Sequence, residues 1–271
     1  MKIAIVGYGK MGQAVERVAL ERGFRIAAIV DPAFDVRPTP DGASPPPPPR
    51  GGELYPDVGG AGNLGGADVA IEFTQPGTAL SNIRALAEKK LPAVIGTTGW
   101  SDRLEEARRA VLAADTALFW SSNFSLGVNV FYRVAWYAAR LIDAFPEYDV
   151  GGFESHHNKK LDSPSGTART LVEGVLARMT RKDVAVWETP DRRPAPGELL
   201  FPSLRLGSVP GQHSLFLDSP ADTIEITHTA RSREGFASGA VRAAEWLLNG
   251  GAGEGRRGVF TMDDMLGDIL G

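Results

Sequence analysis

The sequence contains no cysteine, which excludes disulfides, thiolate metal sites and a thiol nucleophile, and leaves any chemistry to other side chains or a bound cofactor. Positive charge is not in excess either: 29 Lys and Arg stand against 33 Asp and Glu, a formal net charge of −4, so no basic field exists to gather nucleic acid. No apolar run reaches the roughly 18 residues of a membrane span. The run that follows Met1, Lys2-Ile3-Ala4-Ile5-Val6-Gly7, is too short for a signal peptide. A cytoplasmic protein without nucleic-acid or membrane partners is expected. What is present is ordinary for a folded chain, 43% hydrophobic and 23% charged over 271 residues, enough for one large or two smaller domains.

Residues 2 to 6 read as a strand buried on both faces, and they run into Gly7-Tyr8-Gly9-Lys10-Met11-Gly12. Met11, Val15, Val18 and Ala19 then recur at helical spacing up to Gly23. Glycines at a strand-to-helix turn have separate tasks in dinucleotide binding: the first makes the turn, the second admits the pyrophosphate, and the third lets helix and strand pack closely. A second apolar run, Ile26 to Val30, delivers Asp31, near the roughly 20-residue spacing at which an acid takes a ribose 2′-OH. Asp31 disfavours a 2′-phosphate, and Pro32 stands where an arginine would signal NADP, so NADH is favoured over NADPH. Lys10 and Arg37 are candidate compensating cations.

Residues 35 to 66 contain Pro45 to Pro49 and a glycine-rich run, and an extended surface loop is expected there. Strands at 68–74, 92–95 and 116–120 then alternate with helices at about 78–89 and 101–113. Repeated β-α units imply a doubly wound parallel sheet of Rossmann type with ligands at the carboxyl ends of its strands. By position, Phe73, Thr74, Gly96, Thr97, Thr98, Ser121, Ser122, Asn123 and Phe124 are candidate cofactor contacts; each also reads as an ordinary strand-helix turn.

From Gly127 the pattern changes. Val128, Phe131, Tyr132, Ala135, Ala139 and Ile142 mark an amphipathic helix, and later runs at 148–157, 184–189, 203–209, 213–217 and 223–229 read as strands gathered in sequence. These imply an α+β domain on an open mixed or antiparallel sheet, whose outer face could pair subunits. A helix at 234–248 and a short segment at 262–270 are expected to return to the first domain. This gives a dinucleotide-binding domain from 1–125 plus 235–271 and a substrate-binding and oligomerisation domain from 126–234. Arg233 and Phe236, at the crossing, are either cofactor contacts or helix-start residues.

One stretch stands out: Glu154-Ser155-His156-His157-Asn158-Lys159-Lys160-Leu161-Asp162-Ser163-Pro164-Ser165-Gly166-Thr167-Ala168. Imidazole exchanges protons near neutral pH, an ammonium holds an anion, and Ser165, Gly166 and Thr167 offer hydroxyls and free N–H groups where a helix begins, a seat for a carboxylate. Neighbours on a strand face opposite ways, so His156 and His157 take different roles unless the strand has already ended. Ile224, Ile226 and His228 share one strand face, where a packed histidine is expected, and His213 lies on another of these strands. No His-x-x-x-His or carboxylate cluster has ligand spacing, so no metal is expected.

With these residues in view, the chain resembles the 4-hydroxy-tetrahydrodipicolinate reductase (dihydrodipicolinate reductase) family. The E-x-H-H-x-x-K-x-D-x-P-S-G-T-A pattern matched from Glu154 to Ala168 is specific, whereas Gly7 to Gly12 is shared by many dehydrogenases. The likeness extends through Phe73-Thr74, Gly96 to Gly99, Asn123 to Ser125, Glu225 to His228, Phe236-Ala237 and Gly239-Ala240. It implies NAD(P)H-dependent reduction of a cyclic imine dicarboxylate to tetrahydrodipicolinate in the diaminopimelate route to lysine. It also implies His156 as proton donor, Lys160 as second catalytic residue, and His157, Ser165, Gly166 and Thr167 as substrate-binding positions. The strand-end turns would hold the cofactor, and the family is typically a homotetramer built through the second domain's sheet. Another two-domain NAD-dependent dehydrogenase would share the first 125 residues without needing the His-His-Lys-Ser-Gly-Thr group, and a nucleotide-sensing regulator would keep the glycines and Asp31 alone.

Overall fold

The computed structural model describes residues 1–34, 49–250 and 255–270. They pack as two compact units, Met1–Ser125 with Arg233–Gly271, and Leu126–Ser232.

The first unit is built on seven strands: β1 (Lys2–Val6), β2 (Arg25–Val30), β3 (Glu53–Tyr55), β4 (Val69–Glu72), β5 (Ala93–Ile95), β6 (Ala117–Trp120) and β13 (Gly258–Phe260). They lie in the order β13-β6-β5-β4-β1-β2-β3, and all neighbours are parallel. The central strands are unbroken apolar runs, such as Ile3 to Val6 and Val69 to Ile71, every residue of which is buried, as a sheet covered on both faces requires. Helices α1 (Lys10–Glu21), α2 (Pro76–Glu88), α3 (Leu104–Ala113) and α6 (Glu234–Leu248) supply the cover. Helix α6 turns a small-residue face inward, with Ala237, Gly239, Ala240, Ala243 and Ala244 buried. A Cβ at Gly239 would lie 1.7 Å from the Phe124 carbonyl oxygen, so the approach needs glycine there.

From β1 the chain steps outward through β2 and β3, then returns to β4 on the other side of β1. That reversal makes the carboxyl ends of β1 and β4 the crevice where such sheets take ligands. Backbone bonds extend the ladder past the strand ends, from Gly7 N–H to the Val30 carbonyl, Phe73 to Val6, Gly96 to Glu72 and Ser121 to Ile95. The turns singled out in the sequence therefore stand in a row along one edge of the sheet.

Within the region expected to be an extended loop, the described residues 49–66 are more ordered than their composition implies. Pro45 to Pro48 and Arg37 lie outside the described residues. Beyond them Glu53–Tyr55 adds an edge strand to β2, and Val58, Ala61 and Leu64 are buried in the first unit's core. A three-residue edge strand bonded on one side needs little apolar pattern, so sequence periodicity does not reveal it. The same holds for β13 at the opposite edge. The chain's last helix is α7 (Met262–Leu270).

In the second unit, α4 (Leu126–Ile142) buries the six residues whose spacing marked it, and with α5 (Gly166–Leu176) it covers a four-stranded sheet. The sheet order is β10 (Ser203–Arg205), β7 (Asp149–His156), β11 (Gln212–Asp218), β12 (Thr223–Thr229). The β10 and β7 strands are parallel and the other pairs antiparallel, so the sheet is mixed. A separate parallel pair joins β8 (Val184–Val186), within the run expected at 184–189, to β9 (Glu198–Leu200), a strand that the sequence pattern does not reveal. Among the described residues no helix is long and apolar enough to cross a membrane.

Candidate active site

The first unit holds a cavity of about 650 Å³ at the β1–β4 reversal, lined by Gly7, Gly9, Asp31, Phe73 and Thr74 together with Val6, Val30, Pro32, Pro56, Asp57, Gln75, Thr78, Ser81 and Asn82. The three glycines differ in what surrounds them. Gly7 has φ +89° and a Cβ there would meet the Phe73 carbonyl oxygen at 2.1 Å; a Cβ on Gly12 would meet the Gly7 carbonyl oxygen at 2.1 Å. Gly9 has nothing within 4 Å of that position. One glycine makes the turn, one seats helix against strand, and the middle one leaves the backbone open at the start of α1, as a pyrophosphate requires.

Asp31 accepts hydrogen bonds from Tyr8 N–H at 2.7 Å and Ala33 N–H at 2.9 Å. Its carboxylate is thereby fixed at the rim, with lone pairs remaining for a ribose diol. Together, the open glycine, the helix start and the anchored acid fit a dinucleotide.

The remaining first-unit candidates sort by where their side chains go. Lys10 is exposed at the start of α1 and Met11 is half-buried. Tyr8 turns its phenol inward to donate to Glu16 at 2.7 Å, and burial raises its pKa, so its backbone alone borders the turn. Phe124 is also buried, its ring edge-on to Phe73 at 6.0 Å, and a Cβ at Gly96 would overlap the Phe73 ring at 2.0 Å. These two positions pack the crevice wall. Thr97 Oγ1 accepts from Thr74 N–H at 2.7 Å, tying one turn to the next. Thr98 and Ser122 are exposed, Ser121 Oγ accepts from Asn123 N–H at 3.1 Å, and Arg233 is exposed before α6. Beneath Thr74, whose hydroxyl donates to Glu72, the Glu72 carboxyl is wholly buried, and burial raises its pKa.

In the second unit the Glu154–Ala168 stretch forms the end of β7, a turn, and the start of α5. Period-two alternation places Glu154 and His156 on the sheet face under the helices. The register then sets Ser203 of β10 and His213 of β11 on either side of Glu154, and Arg205 beside His156. Glu154 is wholly buried. Its Oε1 accepts from Ser203 Oγ at 2.7 Å, Ser165 N–H at 3.0 Å and Arg205 Nη2 at 3.2 Å. Its Oε2 stands 3.4 Å from His156 Nδ1 and 3.3 Å from His213 Nε2. Burial by itself would raise this carboxyl, but hydrogen bonds from His213, Ser165 and Ser203 outweigh it and hold the group well below the usual carboxylate range. Burial pushes the His156 imidazole down to about 4, against the pull of the Glu154 charge.

The strand ends at His156, so alternation along it does not decide the orientation of His157; burial separates the two, with His156 buried against Glu154 and His157 half-buried at the turn. Lys160 donates to both oxygens of Asp162, at 2.8 and 2.9 Å. Ser165 caps α5, its Oγ accepting from Ala168 N–H at 3.1 Å and lying 3.2 Å from His213 Nε2. Its hydroxyl is turned inward, which leaves exposed Gly166 and half-buried Thr167 at the outward side of the helix start. His228 packs against Phe131, ring centroids 6.1 Å apart, as its strand face implied.

The expectation of no metal rested on spacing along one segment. Folding instead assembles ligand atoms from two strands, Glu154, His156 and His213, within 4.8 Å of one another. The Arg205 guanidinium already faces the same carboxylate. Sequence reasoning assigned no role to Glu154, Ser203, Arg205 or His213. The available signal was Glu154-x-His156, two polar groups on one face of a strand that the core must cover.

Two family models cover the chain, the dihydrodipicolinate reductase N-terminus over residues 1–124 and the C-terminus over residues 127–266. A 4-hydroxy-tetrahydrodipicolinate reductase of Christiangramia forsetii is 36% identical over 270 residues, covering 100% of this chain and 99% of that protein. One from Archaeoglobus fulgidus is 36% identical over 280 residues, covering 98% and 100%. Among solved structures, the dipicolinate-bound dihydrodipicolinate reductase from Paenisporosarcina sp. TG-14 aligns with a TM-score of 0.76 at 19% identity, covering 98% of this chain and 99% of that one. The scyllo-inositol dehydrogenase of Lactobacillus casei with bound NAD(H) aligns at 0.52 with 12% identity over 90% and 87%. Both show the same fold. On the full-length match to both halves of the family, this chain belongs to the dihydrodipicolinate reductases.

Proposed function

We propose that the protein reduces 4-hydroxy-tetrahydrodipicolinate, by way of dihydrodipicolinate, to tetrahydrodipicolinate with NAD(P)H, in the diaminopimelate route to lysine. The observation that carries this reading is the grouping of an imidazole, an ammonium and a helix start within the Glu154–Ala168 stretch of the second unit, in a chain whose first unit has a dinucleotide cradle.

The nicotinamide cofactor supplies the hydride. His156 gives the proton that completes the reduction, and Lys160, released from Asp162, meets a substrate carboxylate or the charge that develops beside it. The N–H groups that begin α5 at Gly166 and Thr167, with the Thr167 hydroxyl and His157, seat a carboxylate. A neutral His156 in the free protein suits this order of events, because a bound dicarboxylate adds the negative charge that raises its affinity for a proton.

Asp31 and Asp57 both line the cofactor cavity, and two carboxylates on that rim favour NADH over NADPH. The outward face of the second unit's sheet carries stacked Phe153 and Phe216, 6.0 Å between centroids, and exposed Leu204. This suits a homotetramer assembled through that sheet, with the second unit serving for substrate binding and assembly. A cytoplasmic location suits an enzyme drawing on the NAD(P)H pool.

Calorimetric titration of the NADH-saturated protein with dipicolinate tests the substrate seat. Binding is expected, weakened about tenfold or more by Thr167→Val; absence of binding to the unmodified protein contradicts the reading.

A further inference from the structure

We infer that Glu154 is the positioning residue for His156: it holds a proton on Nδ1 and thereby makes Nε2 the nitrogen that exchanges protons with substrate. This deepens the proposed role of His156 and rests on it.

Three observations carry the inference. Glu154 has one oxygen engaged by Ser165, Ser203 and Arg205, while the other, Oε2, is enclosed between His213 Nε2 at 3.3 Å and His156 Nδ1 at 3.4 Å. His156 Nδ1 is likewise enclosed without another partner. The His156 side chain keeps 11% exposure, none of it at Nδ1. Third, Gly211, immediately before β11 and at φ +141°, is the position where an added Cβ would come 3.1 Å from Nε2. Any side chain there would press on the nitrogen.

Imidazole carries one N–H when neutral and two when charged, and a carboxylate facing one nitrogen selects that nitrogen for the permanent N–H. With Nδ1–H directed at Glu154, the charged ring has its second proton on Nε2. Transfer breaks that Nε2–H bond, forms a C–H bond on the reduced substrate, and leaves the neutral Nδ1–H ring, which a solvent proton recharges. Burial disfavours the charged ring most, the charge of Glu154 favours it, and His213, Lys160 and Arg205 oppose it. His213 cannot take the same part, since its Nε2 is enclosed between Glu154 and Ser165.

The unmodified, full-length protein gives the first test through ¹⁵N imidazole spectra near neutral pH. The Nδ1–H form of His156 is expected; an Nε2–H form overturns the inference without reference to activity, so its failure is distinct from failure of the proposed reaction. Glu154→Gln should lower kcat about tenfold or more, leave NADH affinity unchanged and shift the His156 titration to lower pH, with partial recovery in Glu154→Asp. In a His156→Gln background the same change should cost little more, because the two residues act as a unit. An additive loss in that background overturns the role, as does stoichiometric metal in the purified protein whose removal abolishes turnover.

Discussion

Glu154 and His213 are direct cross-strand partners on β7 and β11, and their register brings Oε2 to 3.3 Å from Nε2 although the residues are far apart in the chain. Around that pair the fold gathers His156, Ser165, Ser203 and Arg205, so the acid, the helix cap and the guanidinium share one buried carboxylate.

Loss of the imidazole should be felt in chemistry and not in cofactor binding. His156→Gln is expected to lower turnover by about 10²-fold or more, the usual scale for a general acid, with the dissociation constant for NADH unchanged in a fluorescence titration. Turnover near that of the unmodified enzyme would remove His156 from the reaction.

The buried histidine also gives a signed pH dependence of stability. Its pKa falls from 6.5 to about 4 on folding, so between those values the unfolded chain binds more protons and stability rises with pH. Glu154, held below its ordinary value of 4.5, contributes stability that is present above that value and lost as pH falls through the depressed one. The melting temperature should therefore climb from pH about 4 to about 6.5 and level off, with a shallower climb in His156→Gln. A melting temperature that is flat or falls over this range contradicts the burial of these groups.

The turn glycines separate folding from binding. Gly12→Ala puts a Cβ where the Gly7 carbonyl stands and should lower the melting temperature, whereas Gly9→Ala enters open space and should leave melting unchanged while weakening NADH about tenfold or more. Equal effects of the two changes on melting would contradict the division of roles.

How much of this was legible in the chain follows from the range of each interaction. The glycine turn, Asp31 and the α4 face depend on neighbours a few positions apart, and spacing exposes them. The short strands β3, β9 and β13 depend on a pairing partner, which no three-residue pattern specifies. Glu154 shows the same limit at the site: Ser203 and His213 reach it only through the registers of β10 and β11. Proline-rich composition suggested a loop through residue 66, but buried Val58, Ala61 and Leu64 anchor its last part. His213 drew no role because its own strand alone shows no partner for it.

The most direct test of the central claim is oxidation of reduced nicotinamide, followed by its absorbance, with enzymatically generated 4-hydroxy-tetrahydrodipicolinate as substrate and NADH or NADPH as reductant. Substrate-dependent oxidation that is faster with NADH is the result expected; no oxidation with either reductant would contradict it.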